Sequence, residues 1–299
     1  MARPLLLGVG EILWDLLPGG RQLGGAPANF AYHAHTLNAE AWPLSRVGND
    51  ALGQGILARL RELGLPSSGV SLDPDAPTGT VSVELLPGGQ PSYVIQEHVA
   101  WDRLAFDEKA LALASRADAV CFGSLAQRSE TARSAILSLV TAASSKAPRI
   151  FDVNLRQRYY SKALIQSSLE AANVLKLNDA ELPVLAALFE LRGDAAEQVQ
   201  ALAQRFKLDV VALTRGAFGS LLLRGGRWSD HPGLRVDVVD TVGAGDAFTA
   251  AMTLGLLKGE DLDTINASAN RLAAHVCAHA GATPPLPEGW IPPVLNRGA

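Results

Sequence analysis

The chain has 299 residues, 48% of them hydrophobic and 19% charged, and a formal net charge of -4. That composition supports a large buried core and excludes a disordered or fibrous chain. The mild charge and the lack of any Lys/Arg-rich stretch give no footprint for nucleic acid, and no run approaches the roughly 20 apolar residues of a membrane span.

The opening Met1-Ala2-Arg3-Pro4-Leu5-Leu6-Leu7 has an apolar run too short for a signal-peptide core. The two cysteines, Cys121 and Cys277, are far apart and read as reduced thiols, with Cys121 as core filler inside Ala119-Val120-Cys121-Phe122. The expectation is a soluble cytoplasmic protein with no nucleic-acid and no membrane partner.

Residues 5–9 read as a first strand. The Gly8-x-Gly10 pair that ends it fails as a dinucleotide fingerprint, because Leu13 stands where the third glycine belongs. In Gly24-Gly25-Ala26-Pro27-Ala28-Asn29-Phe30, Pro27 suits the first turn of a helix and Asn38 suits its left-handed stop. The two glycines admit a ligand close to the backbone, and Asn29 offers both donor and acceptor to a hydroxyl-bearing ligand. A helix-start residue bonding locally is the other reading of Asn29.

Residues at about 11–23 and 78–98 are alternating or turn-punctuated. Thr80-Val81-Ser82-Val83-Glu84-Leu85, the turn Pro87-Gly88-Gly89 and Ser92-Tyr93-Val94-Ile95 predict a hairpin. A small antiparallel sheet closing over a cleft fits these segments, and so does an ordinary surface hairpin. From about residue 105, strands at 119–123, 150–153, 174–177 and 210–214 alternate with helical patterns such as 131–143, which implies a mostly parallel sheet covered on both faces.

Lys176-Leu177-Asn178-Asp179-Ala180-Glu181 places an amide and a carboxylate three residues apart at a strand-to-helix junction. On spacing alone this is a helix cap. Thr214-Arg215-Gly216-Ala217-Phe218-Gly219 is a strand end followed by a tight turn, and its glycines serve either the turn or a ligand. Residues 236–239 read as a strand. They lead to Asp240-Thr241-Val242-Gly243-Ala244-Gly245-Asp246 and a helix running to about Leu257, stopped by Gly259.

A glycine turn opening a helix presents unpaired N–H groups to an anion. An acid at that spot repels phosphate unless it has a task, and the fitting task is proton removal from an attacking hydroxyl. Asp246 as a residue complementing the helix dipole is the plainer reading. No Walker Gly-x-x-x-x-Gly-Lys-Ser/Thr sequence occurs. His33, His35, His275 and His279 lie on helical stretches without a metal-binding pattern and receive no role. The proline-rich end, including Pro284, Pro285, Pro292 and Pro293, reads as an irregular tail.

The segment Asp240–Phe248 resembles the C-terminal signature of the ribokinase-like (PfkB) carbohydrate kinases. Gly24-Gly25-Ala26-Pro27-Ala28-Asn29 and Ser45-Arg46-Val47-Gly48-Asn49-Asp50 resemble its N-terminal signature. The resemblance runs in order along nearly the whole chain. It implies one unit over 1–299, a three-layer α/β/α sandwich with a mostly parallel central sheet and a small β-sheet lid.

It further implies Asp246 as catalytic base and Gly243, Ala244 and Gly245 as anion hole. Asp15, Gly25 and Asn29 would bind the sugar, with Arg156, in Asp152-Val153-Asn154-Leu155-Arg156, near the sugar–phosphate junction. Thr214, Gly216, Gly219 and Asn270 would line the ATP site. Asn178 and Glu181 would position Mg2+ and phosphates, Glu181 through water. A potassium site beside Asp240 occurs in part of the family.

Among its members the opening Glu11-Ile12-Leu13-Trp14-Asp15 and the Asp-x-Asn-x-Arg segment look most like fructokinases, which implies phosphorylation of D-fructose at the 6-hydroxyl. His98-Val99-Ala100-Trp101-Asp102 departs from the fructokinase pattern. Ribose, 2-keto-3-deoxygluconate (with Arg103 or Arg156 as its cation) and a nucleoside therefore stay open, as does a catalytically silent sugar sensor. Lid edges can pair between subunits, which is compatible with a homodimer.

Overall fold

A computed structural model describes residues 3–17, 19–85 and 91–290. The strands in chain order are β1 (Leu5–Val9), β2 (Leu13–Leu17), β3 (Gly20–Gly24), β4 (Glu40–Gly48), β5 (Val70–Asp73), β6 (Thr80–Leu85) and β7 (Pro91–Ile95). They continue with β8 (Ala119–Gly123), β9 (Arg149–Asp152), β10 (Val174–Asn178), β11 (Val210–Thr214), β12 (Ser220–Arg224) and β13 (Arg227–His231). The α-helices are α1 (Ala26–Thr36), α2 (Ala51–Glu62), α3 (Glu108–Arg116), α4 (Glu130–Ala142) and α5 (Lys162–Ala171). Four more follow: α6 (Glu181–Phe189), α7 (Ala195–Phe206), α8 (Ala244–Leu257) and α9 (Leu262–Cys277).

Nine strands form one sheet in the order β13-β12-β11-β10-β9-β8-β1-β4-β5. From β11 to β5 every neighbouring pair is parallel, while β12 and β13 are antiparallel additions at one edge. β1, β8, β10 and β11 are buried on both faces, which is why their sequences are nearly continuous apolar runs, whereas the edge strand β5 exposes Ser71 and Leu72. Their two-residue period separates two cores. Leu5, Leu7, Val9, Val120, Phe122, Leu175 and Leu177 face the layer of α3 to α7. Leu6, Cys121, Val174, Val210 and Ala212 face α1, α2, α8 and α9. Helices on both faces complete a three-layer α/β/α sandwich with a mostly parallel sheet, as the alternating pattern predicts.

The second sheet has four strands in the order β3-β2-β6-β7. Both segments expected to form it do so, but it is mixed rather than antiparallel. β2 pairs in parallel with β6 and antiparallel with β3, and β6 pairs antiparallel with β7. Alternation within a strand fixes which residues share a face but not which neighbour a strand takes, so β2–β6 pairing was not legible. The expected turn Pro87-Gly88-Gly89 lies outside the described residues, as do Pro292 and Pro293. The indole N–H of Trp14 donates to the Leu52 carbonyl at 2.9 Å and ties this sheet to α2.

One predicted strand is absent. Residues 236–239 make no ladder, and Val238 and Val239 are each 63% exposed. Val236 and Val238 line the cleft described next, so β-branched residues stand here on an exposed wall rather than in a sheet.

Candidate active site

A cleft of about 1590 Å³ opens between the small sheet, the start of α8 and the turn after β11. It is lined by every residue selected from the sequence except Glu181, which lies buried beneath it. Asp15, Gly25, Asn29 and Arg156 line the part near the small sheet. Thr214, Gly216, Gly219 and Asn270 line the part near β11 and α9. The Gly243-Ala244-Gly245-Asp246 turn also lines the cleft.

Gly243 is the N-cap of α8 and has φ 80°, a left-handed value that glycine adopts without strain. A Cβ there would also meet Ala282 Cβ at 2.7 Å. The turn leaves the N–H groups of Gly245 and Asp246 without partners among the described residues, whereas Ala247 N–H donates to Gly243 at 2.9 Å. Two free N–H groups on a long helix, with its dipole behind them, suit an anion.

Asp246 is 9% exposed, and its Oδ2 accepts a hydrogen bond from Asn29 Nδ2 at 2.8 Å. Burial pushes its carboxyl up to about 7, and the nearby Asp152 charge pushes the same way; Asn29, Lys176 and Arg156 oppose them. This is the range a general base needs near neutral pH. The sequence suggested Asn29 as a donor and acceptor for a ligand. The structure engages its donor with Asp246 and leaves buried Oδ1 without a partner. A link between residues 217 positions apart leaves no local sequence signature.

The glycines before α1 serve the protein as much as a ligand. A Cβ on Gly24 would meet Asp15 Oδ2 at 2.3 Å, and one on Gly25 would meet the Glu11 carbonyl oxygen at 2.4 Å. Asp15 makes no side-chain hydrogen bond among the described residues. Burial raises its carboxyl, and the Arg156 charge opposes that rise. Glu11, which the sequence reading passed over as a site residue, is 4% exposed and has Oε2 without a partner. Its carboxyl is likewise raised by burial and opposed by its backbone and Arg156. Arg103 does not reach the cleft: it pairs with Asp73 at 3.3 Å and Asp75 at 3.5 Å. Arg156 lines the cleft and its guanidinium donates to the neighbouring Leu155 carbonyl at 3.0 Å.

Asn178 and Glu181 form the reciprocal bonds of a cap. Asn178 Oδ1 accepts from Ala180 and Glu181 N–H at 2.9 Å, while Glu181 Oε2 accepts from Asn178 N–H at 2.8 Å. Glu181 Oε1 accepts from Leu155 N–H at 2.8 Å. The capping geometry read from the spacing is thus present, and it holds the carboxylate rigidly. Its remaining lone pairs fit a hydrated Mg2+, since Mg2+ keeps several waters and takes few protein ligands. Among the described residues no group of three or more His, Cys, Asp or Glu side chains forms a metal cage.

On the other side, Gly219 is required by the backbone itself, because a Cβ there would lie 2.0 Å from the His231 carbonyl oxygen. Gly216 has open space around its Cβ position and φ 55°. The Asn270 amide nitrogen donates to Ser220 Oγ at 2.7 Å and to Asn266, leaving its carbonyl oxygen as the available group. Asp240 accepts from Val242 and Gly281 N–H, each at 3.0 Å.

The chain resembles known proteins along this entire arrangement. The profile of the pfkB family of carbohydrate kinases matches residues 19–289. Fructokinase-1 of Zea mays is 28% identical over 311 residues, covering 95% of each chain. The 2-dehydro-3-deoxygalactonokinase of Haloferax volcanii is 32% identical over 246 residues, covering 80% of this chain and 77% of that one. A sugar kinase of Pyrococcus horikoshii, solved in complex with ATP, superposes with a TM-score of 0.76 at 26% identity, over 93% of this chain and 94% of that one. The chain belongs to the pfkB family of carbohydrate kinases, and its fold is the ribokinase-like α/β sandwich of that family.

Proposed function

We propose that the protein transfers the γ-phosphoryl group of ATP to the 6-hydroxyl of D-fructose, with Asp246 as general base. The observation that carries this reading is the Asn29–Asp246 pair, buried at the N-terminus of α8 beside two free backbone N–H groups. Asp246 takes the hydroxyl proton as the sugar oxygen bonds to the γ-phosphorus. The bond from that phosphorus to the bridging β–γ oxygen breaks, and ADP leaves with the electron pair. The N–H groups of Gly245 and Asp246 receive charge on the transferring group. Asn29 holds the carboxylate in one orientation.

Thr214, Gly216 and Asn270 would bind the nucleotide, and exposed Val236 and Val238 would supply an apolar wall for its base. Asn178 and Glu181 would hold the water shell of Mg2+. When bound, that ion would neutralise phosphate charge as it develops on the transferring group. The four-stranded sheet would act as a lid that excludes water from the reacting groups.

The choice of a neutral sugar rests on charge. Near the small sheet and Asp246 the cleft presents Glu11, Asp15 and Asp246 against two cations, Arg156 and Lys176, and Lys176 is already paired with Asp152. With Arg103 occupied elsewhere, a keto-acid carboxylate would meet more like charge than opposite charge, whereas carboxylates accept hydroxyl hydrogen bonds readily. Coupled ADP-release assays over fructose, ribose, 2-keto-3-deoxygluconate and a nucleoside, with Mg2+ present, test both levels. The expected result is the highest kcat/KM with fructose. A higher value for the keto acid would overturn the choice of sugar, and no ADP above background with any acceptor would overturn the kinase reading.

A further inference from the structure

Lys176 stands in the middle of β10, inside the otherwise apolar run Val174-Leu175-Lys176-Leu177, and is 5% exposed. A charged residue in a strand covered on both faces requires compensation. Asp152, at the end of β9, supplies part of it: Lys176 Nζ donates to Asp152 Oδ1 at 3.0 Å. Asp152 Oδ2 accepts in turn from Thr249 Oγ1 at 2.9 Å. An ammonium has three N–H donors, and among the described residues this one has a single hydrogen-bond partner.

The unused donors have a defined place. A Cβ built on Gly245 would lie 2.8 Å from Lys176 Nζ, so the ammonium sits directly against the turn whose N–H groups are free. Gly245 is therefore small because a side chain would displace this cation. Lys176 also lines the cleft, and among the described cleft residues it is the only buried cation, since Arg156 and Arg235 are exposed. Around it lie the buried carboxyls of Asp152, Glu181 and Asp246. An acid-rich floor of this kind would repel a polyphosphate unless a cation faced it from the same side.

We propose that Lys176 is a phosphoryl-binding residue of this kinase, its ammonium meeting the oxygens of the γ-phosphoryl group from the sheet side while the N–H groups of Gly245 and Asp246 meet them from the helix side. The assignment rests on the kinase reading and gives a previously unassigned residue to the same site. Its structural competitor is a simple one: Lys176 as no more than the counter-ion of Asp152.

Three variants separate the two: Lys176→Met, Lys176→Arg, and Asp152→Asn combined with Lys176→Met, which removes both buried charges together. Each is compared with the wild-type chain for kcat, for melting temperature, and for affinity toward ATP and ADP in the presence of Mg2+. Loss of a preorganised donor to a transferring group is worth about 10²–10³-fold in kcat. Lys176→Met should therefore lose at least about 10²-fold in kcat and bind ATP about tenfold more weakly, with ADP affinity little changed. Lys176→Arg should recover part of the ATP affinity. The double variant should regain melting temperature without regaining kcat.

Two results would overturn the proposal: recovery of kcat to within a few-fold of wild type in the double variant, or an equal loss of ATP and ADP affinity in both methionine variants. If Lys176→Met alone fails to fold, the double and arginine variants still decide the matter. Absence of ADP release by the wild-type chain with every acceptor would instead count against the kinase reading, and the ATP-to-ADP comparison would still report on Lys176.

Discussion

Burial at the first turn of α8 works against ionisation of Asp246, while Asn29, Lys176 and Arg156 work for it, and the balance leaves the carboxyl at about 7. Two consequences follow from this one residue. The first is kinetic: a base must be ionised, so kcat/KM should fall as pH drops below about 7 and level off above it. A pH–rate profile flat from pH 5 to 8 would remove Asp246 from the role of base. The second is energetic. The folded-state value lies above the ordinary 3.8, so folding takes up a proton between those two values and stability falls as pH rises through that window. At pH 8 the ionised carboxyl costs on the order of 4 kcal/mol. Asp246→Asn removes that cost, so the variant should melt higher than wild type at pH 8 while losing about 10²–10⁴-fold in kcat. A lower melting temperature at pH 8 would contradict the electrostatic account of the site.

The same residue-scale view shows what the sequence could and could not disclose. Asp246, Gly243 and Asn29 stand in contiguous motifs, and motifs are readable because local spacing creates them. The Asn29–Asp246 bond and the Lys176–Asp152–Thr249 chain join residues from separate elements, and tertiary placement alone creates those. Lys176 nonetheless left one signal, a cation inside an apolar strand run. Gly24 and Gly25 were legible as sites of close approach, and the structure adds two protein groups that require their small size, Asp15 and the Glu11 backbone.

At the scale of elements, β1, β8, β9, β10 and β11 were legible almost to the residue, because each is a short, largely buried apolar run flanked by turns, whereas β4 and β5 went unread because Glu40, Ser45, Arg46 and Ser71 interrupt theirs. β12 and β13 went unread as well: the apolar run of β12 is only Leu221-Leu222-Leu223, and at the sheet edge Arg224, Arg227 and Trp228 are exposed. Residues 236–239 erred in the opposite direction, since Val236 and Val238 on a cleft wall look in sequence like valines facing a core. The bond from Thr249 to Asp152 crosses from α8 to β9 and ties down the helix that carries Asp246, the proposed base. Thr249 is fully buried, and Thr249→Val keeps its shape while deleting the donor. Leaving a buried carboxylate oxygen unpaired should lower stability by about 1–3 kcal/mol. Urea titration checks this: the midpoint should fall with the slope unchanged. An unmoved midpoint would mean that Lys176 alone satisfies Asp152.

Across the whole molecule, the segment following α9 binds the two ends of the fold to the active-site turn. Ala282 packs on Gly243, its carbonyl accepts from His33 Nε2 at 2.9 Å, and the Tyr32 hydroxyl donates to the Pro284 carbonyl at 3.1 Å. His33 lies fully buried on α1, and since a carbonyl can only accept, its neutral ring carries the proton on Nε2. Burial lowers its value from the ordinary 6.5 to about 4, with the Ala282 bond opposing that shift and His275 reinforcing it. The sign is opposite to that of Asp246. Unfolding lets His33 take up a proton below pH 6.5, so the stability it contributes is present at neutral pH and is lost as pH falls toward 4. The loss amounts to about 3 kcal/mol across that range. Between pH 6.5 and 4 the two buried groups thus act against each other, Asp246 favouring the folded state as acid is added and His33 disfavouring it. Replacing His33 with Gln, which keeps an N–H donor without titrating, should leave the Asp246 contribution exposed. The His33→Gln chain should lose less stability than wild type on going from pH 6.5 to 4.5, measured by urea titration at each pH. Parallel acid sensitivity in the two chains would show that the segment after α9 is held by its apolar packing and not by the neutral imidazole.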